Sequence, residues 1–303
     1  MKFKTNKLKN FQPLELGNIL GGDLGAIDFS DALGNMPGSK KDVLFLGRFS
    51  ESDLMNIISS IGMSDHLNAK GFNELNISIN RDDASVHYFK LYDGKKNPSN
   101  LLMDLRVTES KFLPEASFFE EDRSVPVYDM VVIEWLSAHS PKRSFDSGKP
   151  QLPGQSKPGL GILRYCFDMM YSVAREVTKD GFMDVPDHMH GAIMYSKKFR
   201  FFDPVHEAIL HAIMRDLKEY SLVDISWGMI TQSIIDIYKN IPQVYDPSEQ
   251  IFSVSNRMKR YFSSNKYKSI YNNYYKKKKY RLDYDSMVKK REQILKNKSI
   301  VDL

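Results

Sequence analysis

Gly159-Leu160-Gly161 stands directly before a long segment of helical apolar periodicity, and here the sequence gathers its clearest chemistry. Glycine lets the backbone come close to a ligand, and the first turn of a following helix leaves several amides without intrahelical partners. Those amides and the positive end of the helix dipole make an anion site suited to a pyrophosphate. Lys157 adds a point charge beside them. The same turn is also the tight connection that a strand-to-helix junction needs on its own account. Other reactive types are poorly grouped. His188 and His190 are two apart, and His206 and His211 five apart. Neither is the i, i+4 pair by which a helix offers two imidazoles to zinc, so they read as surface or capping histidines and no metal site is expected. Cys166, the sole cysteine, falls on an apolar stripe and reads as a small buried hydrophobe. One cysteine excludes a disulfide framework and a multi-cysteine zinc site. The run Gly21-Gly22-Asp23-Leu24-Gly25 has neither the Lys-Ser/Thr ending of a phosphate loop nor the spacing of a dinucleotide fingerprint.

The elements around the Gly turn follow from periodicity. Val43 to Leu46 reads as a short buried strand, and Ser50 with Asp53 marks a capped helix start continued by Leu54, Ile57, Ile58 and Ile61. Alternation predicts strands over Leu75–Ile79, Val86–Leu91 and Leu101–Val107, then a stronger one over Val127–Leu136. A polar stretch rich in Pro and Gly runs from His139 to Gly161. Beyond it, Ile162, Cys166, Met170, Val173 and Val177 share one helical stripe. A strand at Phe182–Val185, a helix over about Asp187–Lys198, a strand at Phe199–Phe202 and a helix opened by Asp203-Pro204 follow, with one more helix expected around Met229–Tyr238. The reading is an α/β fold: a mixed, mostly antiparallel central sheet flanked by helices, with a helical C-terminal extension.

The stretch from Gln155 to Phe202 resembles the core of the GNAT superfamily of acyl-CoA-dependent N-acyltransferases. In that family a Gln or Arg precedes a Gly-x-Gly/Ala loop, then come a helix, a strand, a second helix with a late Tyr, and a closing strand. Counting the earlier strands, the resemblance covers about residues 43–205. It implies that Gln155, Lys157, Gly159, Leu160, Gly161 and Ile162 hold the pyrophosphate of acetyl-CoA, and that the strand through Val132 and Ile133 splays to receive the pantetheine. It further implies that Tyr195 returns a proton to the departing thiolate, and that Glu134 is the base for the amine. The acceptor would be a small amine, an amino acid or a protein lysine.

Charge is unevenly spread. The 303 residues carry a net +5, yet 251–303 alone hold 15 Lys and Arg against 4 Asp and Glu. The body is therefore mildly acidic and the end strongly basic. Tyr271 to Arg281 interleaves rings with cations, chemistry that suits nucleic acid or an anionic surface through residues 257–298. The alternative function is accordingly a GNAT-like scaffold without turnover whose basic segment contacts nucleic acid. The organisation expected is an irregular arm over 1–42, a GNAT-like domain over 43–220, and a basic helical extension over 221–303. No run of about eighteen apolar residues occurs, so no membrane span is expected, and the cytoplasm is the expected location.

Overall fold

Apolar alternation sets the frame, because a strand that packs on both faces must send successive side chains to opposite sides. In the computed structural model, which describes residues 11–13, 43–81, 85–120, 124–145, 150–177 and 179–303, eight strands make the main sheet. They are β1 (Phe11–Pro13), β2 (Leu75–Asn80), β3 (Val86–Asp93), β4 (Leu101–Phe112), β5 (Tyr128–Ala138), β6 (Gly181–Asp184), β7 (Arg200–Phe201) and β10 (Gln250–Ser253). Their order is β2-β3-β4-β5-β6-β10-β7, with β1 paired to β4 off that path. All pairs are antiparallel except β5 with β6. A smaller sheet of β8 (Ile234–Asp236), β9 (Ile241–Pro242) and β11 (Tyr280–Leu282) stands beside it. The mostly antiparallel α/β architecture read from the sequence is therefore present.

Each face of the main sheet has its own core. On one face Val131 and Ile133 of β5 and Phe182 of β6 pack with helices α1 (Glu51–Ser60), α2 (Met63–Asn68) and α3 (Leu163–Val177). On the other, Met130, Val132 and Met183 pack with Met258 and Tyr261 of α7 (Asn256–Ser263) and Tyr267 of α8 (Asn265–Lys277). A third core joins α4 (Met189–Tyr195), α5 (Pro204–Asp216), α6 (Leu222–Ile230) and α9 (Tyr284–Asn297) to the small sheet. Helix starts obey local chemistry. Ser50 and Ser221 each close a capping box with the aspartate three residues on, and Asp203 caps α5 ahead of Pro204.

Three expectations change. Val43–Leu46 is not a strand: the chain folds back at once, with Phe45 bridged to Phe49 around Leu46 and Gly47 at positive φ. The helix expected near Met229–Tyr238 lies earlier, as α6, because Ser221 and Asp224 start it. Gln232 at φ 55° then turns the chain into β8. Residues after 221 are not simply appended, since β10 inserts between β6 and β7. The arm expected over 1–42 lies outside the described residues apart from Phe11–Pro13, which pair with Ser110–Phe112.

Candidate active site

The parallel pair β5–β6 is short. Met130, Val131 and Val132 face Gly181, Phe182 and Met183, and β6 ends at Asp184 while β5 continues to Ala138. From Ile133 onward β5 thus has an edge that β6 does not cover. Its far end is taken up by the Gly loop: His139 bridges Gly159, Ser140 N donates to Pro158 O at 2.8 Å, and Leu160 N donates to Ala138 O at 3.4 Å. Between the short pairing and this loop lies a cavity of about 600 Å³.

The closed end of this wedge is clamped by Asp180. Its carboxylate accepts from Asp129 N at 2.8 Å, from Ser255 Oγ at 2.6 Å and from the Arg257 guanidinium, so β5, β6 and α7 meet on one side chain. Burial pushes this carboxyl up, but the hydrogen bonds from Arg257 and Ser255 outweigh it and hold the group below the usual carboxylate range. Gly181 is forced at this point, because any Cβ would collide with Phe252 O of β10.

At the open end, Gly161 has φ 70°, a conformation that L side chains rarely adopt, and it swings the chain into α3. The first intrahelical bond there is Cys166 N to Ile162 O, so amides ahead of Cys166 have no intrahelical acceptor. Lys70 lines the cavity beside this turn; its Nζ donates to Leu160 O and would lie 3.4 Å from a Cβ on Gly161. The start of α3, whose first amides have no intrahelical acceptor, and the Lys70 side chain therefore both border the cavity.

Of the residues singled out from sequence, Gln155, Gly159, Gly161, Ile162 and Tyr195 line this one cavity. Leu160 is buried within the loop, and Lys157 is exposed outside the cavity wall. Lys157 is nonetheless felt nearby: burial, then its charge, lowers the pKa of His139. Val132 and Ile133 are buried in opposite cores and do not reach the cavity surface.

Glu134 sits apart from the rest. Arg106 faces Trp135 and Val107 faces Ile133, so Glu134 is the extra residue of a β-bulge. It is exposed and is not among the residues lining the cavity; partial burial of its carboxyl raises its pKa, opposed by a hydrogen bond from Thr108. Tyr195 ends α4, buried against Phe167 and Phe199 at ring distances of 5.8 and 5.1 Å. Burial, then the charge of Asp184, raises its phenol well above the ordinary value.

The cavity also holds a pair that spacing rules pass over. His188 and His190 line it with their rings stacked at 5.2 Å and 12°. His190 Nδ1 shares a 2.9 Å hydrogen bond with the hydroxyl of buried Ser226, which fixes the ring. Burial, then the neighbouring His188, lowers its pKa to about 4, so His190 is an uncharged imidazole at neutral pH. Asp184 and Asp187 also line the cavity, as does Cys166, its thiol pushed up to about 12 by burial. A helix-spacing search misses the two histidines because His188 is the residue before α4 and His190 the second within it. Among the described residues no three His, Cys, Asp or Glu side chains are grouped as a metal ion would need. No protein-family model matches the chain, and no curated protein matches it.

Proposed function

We propose that the chain is an acyl-CoA-dependent N-acyltransferase of the GNAT kind, moving an acetyl or other short acyl group to an amine by direct attack in a ternary complex. The observation that carries this reading is convergence on the uncovered edge of β5. A Gly loop opening a helix closes one end of the cavity, and a buried tyrosine stands in the same wall. The loop amides and Lys70 suit a pyrophosphate. The gap between β5 and β6 suits a thin, uncharged pantetheine arm. As the amine nitrogen bonds to the acyl carbon and the carbon–sulfur bond breaks, Tyr195 gives its proton to the thiolate. Its raised pKa keeps it protonated until then. His190 borders the cavity as an uncharged imidazole, whereas Glu134, the base that the resemblance implies, does not line it. The carboxylates of Asp184 and Asp187 in the same wall suit a cationic acceptor, a small amine or a protein lysine.

Coenzyme A release from acetyl-CoA, followed with a thiol reagent across a panel of primary amines, tests the reading. Tyr195→Phe is expected to bind acetyl-CoA as the unaltered chain does and to turn over about 10²–10³-fold more slowly. Full turnover in that variant would remove Tyr195 from the mechanism, and absence of release with every amine would count against transfer.

A further inference from the structure

From Ser255 to Leu282 the chain has no aspartate or glutamate and carries ten lysines and arginines. That stretch folds as α7, α8 and β11, and most of its rings turn inward. Tyr267 is buried and donates from Oη to Phe201 O at 2.8 Å. Tyr271 shares a 2.9 Å hydrogen bond with His211 Nδ1, and Tyr275 stacks on Tyr271 beneath the Arg215 guanidinium. Recurring every four residues, these tyrosines face α5, so they do not form the base-stacking platform that the sequence suggests. The outward positions of α8 are polar instead: Lys268, Asn272, Asn273, Lys276 and Lys277 are all exposed.

We propose that this face of α8 docks in the major groove of double-stranded DNA. At the rise of a helix, Lys268 and Lys276 are about 12 Å apart along the axis, close to the width of that groove. Cations at the two ends meet phosphates on either side, while the Asn272 and Asn273 amides lie between them, able to donate to and accept from base edges. Single strands are disfavoured because the rings are packed away. Duplex RNA is disfavoured because its major groove is too deep and narrow for a helix. A bilayer surface is disfavoured because Tyr274, 38% exposed, is the one large apolar side chain that α8 leaves exposed. Nothing in this docking depends on acyl transfer.

Fluorescence anisotropy of the full chain with a labelled DNA duplex of about 20 base pairs, at salt between about 50 and 200 mM, tests it. Binding is expected at the low end and should weaken steeply with salt. Lys276→Glu with Lys277→Glu should weaken it at least tenfold and reduce the salt slope by about two. Lys197→Glu with Lys198→Glu makes the same charge change on the exposed turn after α4 and should have a far smaller effect. Circular dichroism confirms that both variants are folded. The assignment is overturned by no binding at low salt, or by equal weakening in the two double variants. Equal affinity for duplex RNA or a single strand overturns it too, as does capture by phosphatidylserine vesicles with no capture of DNA.

Discussion

A phenol in apolar surroundings gives up its proton reluctantly, and Tyr195, packed between Phe167 and Phe199, is such a group. His190 is the converse case, an imidazole that burial keeps neutral. Its pKa falls from 6.5 to about 4 on folding, so between those values the unfolded chain binds more protons than the folded one. Stability contributed by this group is therefore complete above pH 6.5 and is lost as pH falls toward 4. A shift of that size corresponds to about 3 kcal/mol. Glu207, its pKa raised to about 7 chiefly by burial, slopes the other way, losing stability as pH rises from 4.5 toward 7. Comparison with a variant isolates the histidine: His190→Asn should lose about 2–3 kcal/mol less than the unaltered chain between pH 7 and pH 4 in urea unfolding. Equal losses would mean that His190 does not titrate as a buried group. At this scale the sequence led to Tyr195 through the resemblance that singles out its position, and the residue lines the cavity. His190 was not legible, because its importance comes from stacking on His188 and bonding to Ser226, thirty-six positions away in sequence.

Elements explain why the wedge stays open at one end and shut at the other. Asp180, the residue before β6, ties β5 to α7 where the parallel pairing begins, and Gly181 lets β10 close in beside it. Asp180→Ala leaves the Arg257 guanidinium and the Asp129 amide without this partner. It should cost about 2–3 kcal/mol, less than for a fully buried pair because Arg257 is partly exposed. Thermal unfolding reads the loss, and an unchanged midpoint would show that the clamp is not needed. Strands β2 to β5 and helices α1, α3 and α5 were readable from alternation, helical stripes and caps. The turn at Phe45–Phe49 was missed because it depends on positive φ at Leu46, a residue other than glycine, for which composition gives no signal, and α6 was placed too late because the capping pair Ser221 and Asp224 was passed over.

Across the whole molecule, the basic C-terminal stretch is part of the fold. It supplies β10 to the main sheet, Met258, Tyr261 and Tyr267 to one core, and Tyr280, Leu282 and Met287 to another. Deleting residues 251–303 should therefore give insoluble or unfolded protein, seen as lost cooperative melting, and a soluble, cooperative product would contradict this architecture. Charge composition pointed to a distinct segment, but a strand that returns to the sheet after a long excursion leaves no periodic trace. No helix among the described residues is long and apolar enough to cross a membrane. The cavity between β5, the Gly loop and α4 is the proposed cofactor site, and calorimetric titration of the full chain with acetyl-CoA and with coenzyme A tests it most directly. Binding in the micromolar range is predicted for both. Gly161→Val should weaken it at least tenfold, because valine is strained at φ 70° and its side chain meets Lys70. No heat and no thermal stabilisation by either ligand at about millimolar concentration would contradict the account.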